Sequence, residues 1–264
     1  MAVRSDEIDL NAVRRPGLLS RAWGAIAVVM AVLYTAVLSI AAALTAPFHD
    51  GHAVSHIGRL WAWLIIRTCG VMVEIEGLEH LEGLESFVMV SNHQSMFDIF
   101  AILAYIPGET RFLAKKELRR VPLVGYAMGR SGHVFVDRER RGGNAIRRAI
   151  EVSRLGYNLC VFAEGTRFSD NQVHEFNDGA AWIAIATRRP CIPIAISGSA
   201  AIFPRGAKVV VPGLRIRIRI GAPIETRDLK SSDRFALTRQ LEAAVRATFI
   251  SELRNSPTRG SAPL

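Results

Sequence analysis

The chain has 264 residues, half of them hydrophobic, and a formal net charge of +9. The length fits one large domain, or one domain plus a membrane segment; a mean hydropathy of +0.20 is high for a purely soluble domain and points to membrane contact. The basic balance suits nucleic acid, anionic lipid or phosphorylated substrates, but with no zinc-finger spacing and no RRM-like aromatic block, anionic lipid is the better partner and nucleic acid is not expected.

Residues 1–21 are mixed in charge, contain Pro16 and read as a mobile tail. Ala22 to Phe48 carries no charged residue. As a helix it would extend about 40 Å, enough for a bilayer core of about 30 Å. The apolar core of a cleaved signal peptide is shorter. Leu60 to Ile66, bounded by Arg59 and Arg67, holds Trp61 and Trp63 and is too short to span. It suits an interfacial helix with tryptophans at headgroup depth and arginines snorkelling. Residues 22–70 are thus expected to be membrane-anchoring helices that dip into one leaflet or form a hairpin. A single crossing is the rival.

From Val71 to residue 254 the pattern is that of an α/β domain. Strands are expected at Val71–Ile75, Phe87–Val90, Arg111–Ala114, Gly132–Val136, Leu159–Ala163 and Ile192–Ile196. Helical spacing marks Asn144–Leu155 and Ala180–Thr187 between them. The alternation predicts a mixed, largely parallel sheet covered by helices. Leu214–Ile220 alternates apolar residues with Arg215, Arg217 and Arg219, a strand whose arginine face is read as solvated rather than phosphate-binding. Asp233–Leu253 is a terminal amphipathic helix, and residues 255–264 form a disordered tail. Cys69, Cys160 and Cys191 lie far apart in apolar runs and are expected to be buried free thiols.

The chemistry centres on Ser91-Asn92-His93-Gln94-Ser95-Met96-Phe97-Asp98. An apolar strand delivers His93 to its end, and a helix starts just after. His93 and Asp98 are five apart, about 500° of helical rotation, so in a straight helix they point about 140° apart. They meet only if His93 sits in the turn and Asp98 in the first turn of the helix. There the carboxylate accepts one imidazole N–H and leaves the other nitrogen free as a base. The plain alternative is a helix capped by Asn92 or Ser95, with His93 a polar loop residue.

This block resembles the first block of the glycerolipid acyltransferases, in particular the 1-acyl-glycerol-3-phosphate acyltransferases. Three more blocks follow in that family's order between Val71 and Pro223. The link Ala114-Lys115-Lys116-Glu117-Leu118 places Lys115 or Lys116 as a phosphate contact. Gly132-x-x-Phe135-Val136-Asp137-Arg138 resembles the second block, whose arginine, here Arg138, contacts the acceptor phosphate. A planar guanidinium suits that role by its paired donors. Phe162-Ala163-Glu164-Gly165-Thr166-Arg167 resembles the third. Ala163 stands where the family usually has proline, which leaves the turn less stiff. The resemblance implies that Glu164, Gly165, Thr166 and Arg167 recognise the acceptor, Arg167 by its phosphate and Glu164 by a glycerol hydroxyl or by orienting Arg167. Phe176-Asn177-Asp178-Gly179 lacks the lysine the family often carries there. Ile192-Pro193-Ile194-Ala195-Ile196 resembles the fourth block, which places Pro193 at the acyl region.

The resemblance implies acyl transfer from a thioester, acyl-CoA or acyl carrier protein, to the sn-2 hydroxyl of lysophosphatidic acid. His93 acts as base and Asp98 orients it. No cofactor or metal is expected, since the thioester is already activated. The inner membrane with the catalytic domain on its cytosolic side is the expected location, because the donors are made there. Rivals are another lysolipid acceptor, such as a lyso-ornithine lipid, and a non-catalytic membrane-surface lipid-binding protein. The first makes Arg138 and Arg167 unnecessary; the second leaves the histidine–carboxylate pair idle.

Overall fold

A computed structural model describes residues 17–46, 51–136 and 143–249. Seven strands form one sheet: β1 (Met72–Glu76), β2 (Val88–Ser91), β3 (Thr110–Lys115), β4 (Val134–Val136), β5 (Asn158–Phe162), β6 (Cys191–Ser197) and β7 (Arg215–Ile220). Their spatial order is β1-β7-β6-β2-β5-β3-β4. Every pairing is parallel except β6 with β7. The expected mixed, largely parallel sheet is present.

Strand alternation sorts the side chains into two cores. Met89, Phe112, Cys160 and Ile192 face one side, with helices α1 (Leu18–Thr45), α2 (His52–Thr68) and α3 (Met96–Tyr105). Val88, Val90, Leu159 and Cys191 face the other. There they meet α5 (Gly143–Arg154), α6 (Gly179–Thr187) and α8 (Arg234–Thr248). The short helices α4 (Val124–Arg130) and α7 (Ser199–Ile202) lie in connections. All three cysteines are free and buried. Burial pushes the Cys69 thiol up to about 11 and Cys191 to about 12, so neither forms a thiolate near neutral pH.

The helices α1 and α2 pack against each other. Trp23 Nε1–H donates to the Thr68 carbonyl (2.9 Å), and Trp61 Nε1–H to Thr35 Oγ1 (2.9 Å). α2 differs from the interfacial helix expected. Ala62, Ile65 and Ile66 are buried in the sheet core, and Trp61 sets its edge against Phe100. Arg59 does not snorkel; it donates to the Ile106 and Gly108 carbonyls. Leu60 and Trp63 turn outward, with Arg67 over the Trp63 ring. Leu60 to Ile66 is one part of a 17-residue helix with a buried stripe.

Glu109 fixes α2 to the domain. It accepts from Ser55 Oγ–H (2.7 Å) and Arg111 (2.7 Å) and contacts His52. Burial works against its charge, yet these three partners outweigh it and hold the carboxyl down at about 2. α1 presents Leu19, Ile26, Leu33, Val37, Ile40 and Leu44 to the outside, an apolar stripe along its whole length. It is the one described helix long and apolar enough to cross a membrane.

The arginine face of β7 is an ion-pair ladder. Its parallel neighbour β1 puts Glu74 level with Arg217 and Glu76 level with Arg219. Arg215 and Arg217 bind Glu74 at 2.7 and 3.0 Å, and Arg219 binds Glu76 at 2.8 Å. The solvated-face reading is thereby refined: these guanidiniums already hold carboxylates.

Candidate active site

β2 is buried at every residue and carries the chain to the carboxyl edge of the sheet. Asn92 then extends the sheet with its side chain. Its Nδ2–H donates to the Ile196 carbonyl and its Oδ1 accepts the Ile196 N–H, both at 2.8 Å. This amide pair locks the residue before His93 to β6. Ser95 caps α3, its Oγ accepting the Phe97 N–H. Asp98, three residues on, closes a capping box by accepting the Ser95 N–H at 2.8 Å.

The five-residue spacing follows from this box. Asp98 Oδ2 also accepts the Gln94 N–H (2.7 Å) and meets His93 Nδ1 at 2.8 Å. The carboxylate therefore gathers the turn preceding its helix, at the positive end of the helix dipole. With Asp98 ionised, Nδ1 carries the proton and Nε2 is left as acceptor. The ring lies flat on Phe162 of the adjacent strand, 3.8 Å between centroids, which fixes its plane. Both side chains are almost fully buried, 6% and 0% exposed, so bulk water does not compete for the Nδ1 bond.

The turn after β5 holds the third block. Glu164 is buried, and its two oxygens accept backbone N–H groups: His93 at 2.8 Å and His174 at 2.9 Å. It thus ties the histidine's own backbone to the loop 165–177. Its bonds do not reach Arg167, so the expected orienting contact is absent here. Burial, with a smaller push from Asp98, raises the Glu164 carboxyl to about 7, against the pull of the two N–H donors and His174. Gly165 has φ +73°, and a Cβ there would sit 3.1 Å from Asn177 Nδ2. Both N–H groups of Asn177 donate to the Ala163 carbonyl (2.8 and 3.0 Å). The asparagine in place of lysine therefore stiffens the turn where alanine replaces proline. Thr166 and Arg167 are half-buried, and the Arg167 guanidinium makes no hydrogen bond among the described residues. It stands at the same sheet edge as His93, at the end of the adjacent strand.

The remaining positions are more dispersed. Lys115 ends β3, two strands from β2, exposed and 3.6 Å from Glu117. Arg138 lies outside the described residues. Pro193 is buried in β6 level with Val90, below the pair rather than beside it. Its missing N–H falls where the ladder to β7 ends, and its carbonyl accepts the Gly221 N–H. Asn92, Phe162 and Ser95 also position the site. Asn92 and Ser95 stood in the octapeptide as possible caps; Phe162 had only its place before the third block. No group of His, Cys, Asp and Glu among the described residues is arranged to hold a metal ion.

The family described as Acyltransferase matches residues 72–197, which contain both turns. A chloroplastic 1-acyl-sn-glycerol-3-phosphate acyltransferase of Brassica napus is 33% identical over 171 residues, 64% of this chain and 49% of that protein. The alpha form from Ovis aries is 30% identical over 184 residues, 68% of this chain and 63% of that protein. The chain thus spans about half to two thirds of the length of these relatives. The crystal structure of the 1-acyl-sn-glycerophosphate (LPA) acyltransferase PlsC from Thermotoga maritima is 28% identical, with a TM-score of 0.72. That match covers 93% of this chain and 98% of the other. The His–Asp turn lies inside the matched segment and the fold around it is shared with that structure, so the chain resembles the acyltransferases in both sequence and fold.

Proposed function

We propose that this protein transfers an acyl chain from a thioester donor to the sn-2 hydroxyl of 1-acyl-glycerol-3-phosphate, giving phosphatidic acid. The observation that carries the reading is the buried 2.8 Å contact of His93 Nδ1 with Asp98, which leaves Nε2 free at the strand end. Nε2 takes the proton of the acceptor hydroxyl as its oxygen attacks the thioester carbonyl carbon. Asp98 holds the tautomer and stabilises the imidazolium. When the C–S bond breaks, the imidazolium returns that proton to the departing thiolate, and the base is restored. A thioester needs no enzyme nucleophile for this step, and the donor is acyl-CoA or acyl carrier protein. Arg167, with Arg138 and Lys115, is assigned to the acceptor phosphate.

The membrane reading follows the stripe on α1. Both ends of that helix touch the domain: Gly24 lies against the Val210 backbone, and Arg130 donates to the Ala46 carbonyl. A helix tied at both ends supports lying along one leaflet of the inner membrane, with the catalytic domain on the cytosolic side. The test is turnover by purified protein given lysophosphatidic acid, other lysolipids and both donor types. Equal rates with a lysolipid that lacks phosphate would overturn the acceptor assignment. Wild-type turnover in folded His93→Ala protein would overturn the mechanism.

A further inference from the structure

Every residue from Lys115 to Leu123 is exposed. Residues 115–130 hold five cations, Lys115, Lys116, Arg119, Arg120 and Arg130, against one carboxylate, Glu117. Between the cations stand four apolar side chains, Leu118, Val121, Leu123 and Tyr126, each about 40–50% exposed. A run of exposed apolar side chains rimmed by charge marks an interaction surface. Leu123 adds a second oddity. Its φ is +61°, and the Val124 N–H donates to the Pro122 carbonyl across it, a tight γ-turn in a region that side-chain-bearing residues seldom enter. The fold holds a strained backbone that turns an isobutyl group outward.

This segment adjoins the helical hairpin. Ala127 of α4 packs with Ala42, Ala46 and Val54 of α1 and α2, and Arg130 reaches the last described residue of the hairpin's first arm, Ala46. Beneath it lies an open cavity of about 640 Å³, lined in part by Arg119, Arg130 and Arg148. Arg148 also binds Glu151 at 2.9 Å. Cations around an apolar tip, next to an apolar helix stripe, match the chemistry of a bilayer surface that carries negative headgroups.

We infer that the segment from Leu118 to Tyr126 is a second membrane contact, one that docks on anionic phospholipid through Arg119 and Arg120 while Leu118, Val121 and Leu123 enter the acyl boundary. It rests on the membrane reading above, not on acyl transfer, and it differs from α1 in needing charge. α1 attaches by apolar burial, which salt does not screen; this loop attaches by charge as well, and salt weakens it.

The test uses the full chain with Leu123→Cys carrying an environment-sensitive fluorophore; the three native cysteines are buried and stay unlabelled. The labelled protein is floated with vesicles of phosphatidylcholine alone or with phosphatidylglycerol added. Expected is a blue-shifted emission, quenched by brominated lipid, only on the phosphatidylglycerol vesicles. Arg119→Ala with Arg120→Ala should lower the docked fraction's apparent affinity about tenfold or more, while flotation persists. Protein that floats but shows the same emission on both vesicles, or keeps the shift without the two arginines, overturns the inference and leaves the α1 anchor standing. Loss of the shift on adding millimolar soluble glycerol phosphate assigns the cations to a free phosphate and overturns it too. Protein that does not float overturns the membrane reading and this contact with it.

Discussion

The turns that follow β2 and β5 end adjacent strands of one sheet, yet they are built in opposite ways. From Ser91 to Asp98 every residue but Met96 is buried, and the backbone is gathered by Asp98, Asn92 and Glu164. From Gly165 to Arg167 the chain is open, and the guanidinium has no partner among the described residues. Under the proposed function, the difference separates two tasks. A base works best when its geometry is set before the substrate arrives, because reorganisation then costs nothing at the moment of reaction. A phosphate clamp works by exchanging water for an anion, so it must stay accessible.

Breaking the closed turn should have the largest effect. His93→Ala is expected to lower kcat by about 10²–10⁴ through loss of the general base, while Asp98 keeps its two backbone N–H donors and the fold stands. Asp98→Asn should be as severe in kcat and should also lower the melting temperature. The amide cannot serve the imidazole N–H and two backbone N–H groups as the carboxylate does. Circular dichroism beside the assay separates the two.

Removing the open turn's cation should act on binding instead. Arg167→Ala is expected to raise the acceptor KM about ten- to a hundredfold, as for loss of a charged hydrogen bond of about 1.5–3 kcal/mol. The donor KM should move far less. An equal rise in both would mean that the arginine shapes the turn rather than gripping the acceptor.

Glu164 joins the two turns, and its titration sharpens the contrast. Its carboxyl is raised from 4.5 to about 7 in the fold. A carboxyl raised by folding stabilises the protein fully below its unfolded value and loses that contribution as pH rises through the folded one. Glu164→Gln does not titrate. The advantage of the wild type over this variant should therefore shrink between pH 5 and 7, by about 1.4 kcal/mol for each unit at most. Urea unfolding at several pH values reads it; a gap that widens with pH would show the carboxylate to be the favoured form.

The smallest effect is expected at the β7 ladder. Arg219→Ala removes a partly exposed pair with Glu76 and should cost about 1 kcal/mol or less, with acceptor KM unchanged. A raised KM there would move the phosphate site to the sheet's far edge.

Much of this was legible in the residues. Strand alternation and helical spacing located the sheet, and the His93–Asp98 spacing demanded the turn that is found. The capping box explains why: both residues obey local geometry within eight positions. What was not legible depends on long separations. Asn92 meets Ile196 across 104 residues, and Glu164 meets the His93 backbone across 71. Nothing in the residue types says that Glu164 will accept the backbone N–H of His93. α2 was misjudged for a related reason. Tryptophans between arginines have the composition of an interfacial helix, and only packing on α3 shows that Trp61 and Arg59 face inward.

Gly24 carries a mechanical consequence. A Cβ at this position would stand 2.1 Å from the Val210 carbonyl oxygen and 2.9 Å from a Val209 methyl. α1 therefore lies against the domain's backbone with no side chain between them, while Arg130 holds the helix at its opposite end. Held at two points, the helix cannot swivel on the domain. If it floats in a leaflet, the altitude of His93 above the acyl chains is a constant of the molecule. The lipid, not the enzyme, must travel that height, and a one-tailed lipid climbs it more cheaply than a two-tailed one, at about 0.8 kcal/mol for each methylene drawn into water. Under the proposed acyl transfer, the rigidity of a single glycine contact thus favours arrival of the one-tailed acceptor and the return of the two-tailed product.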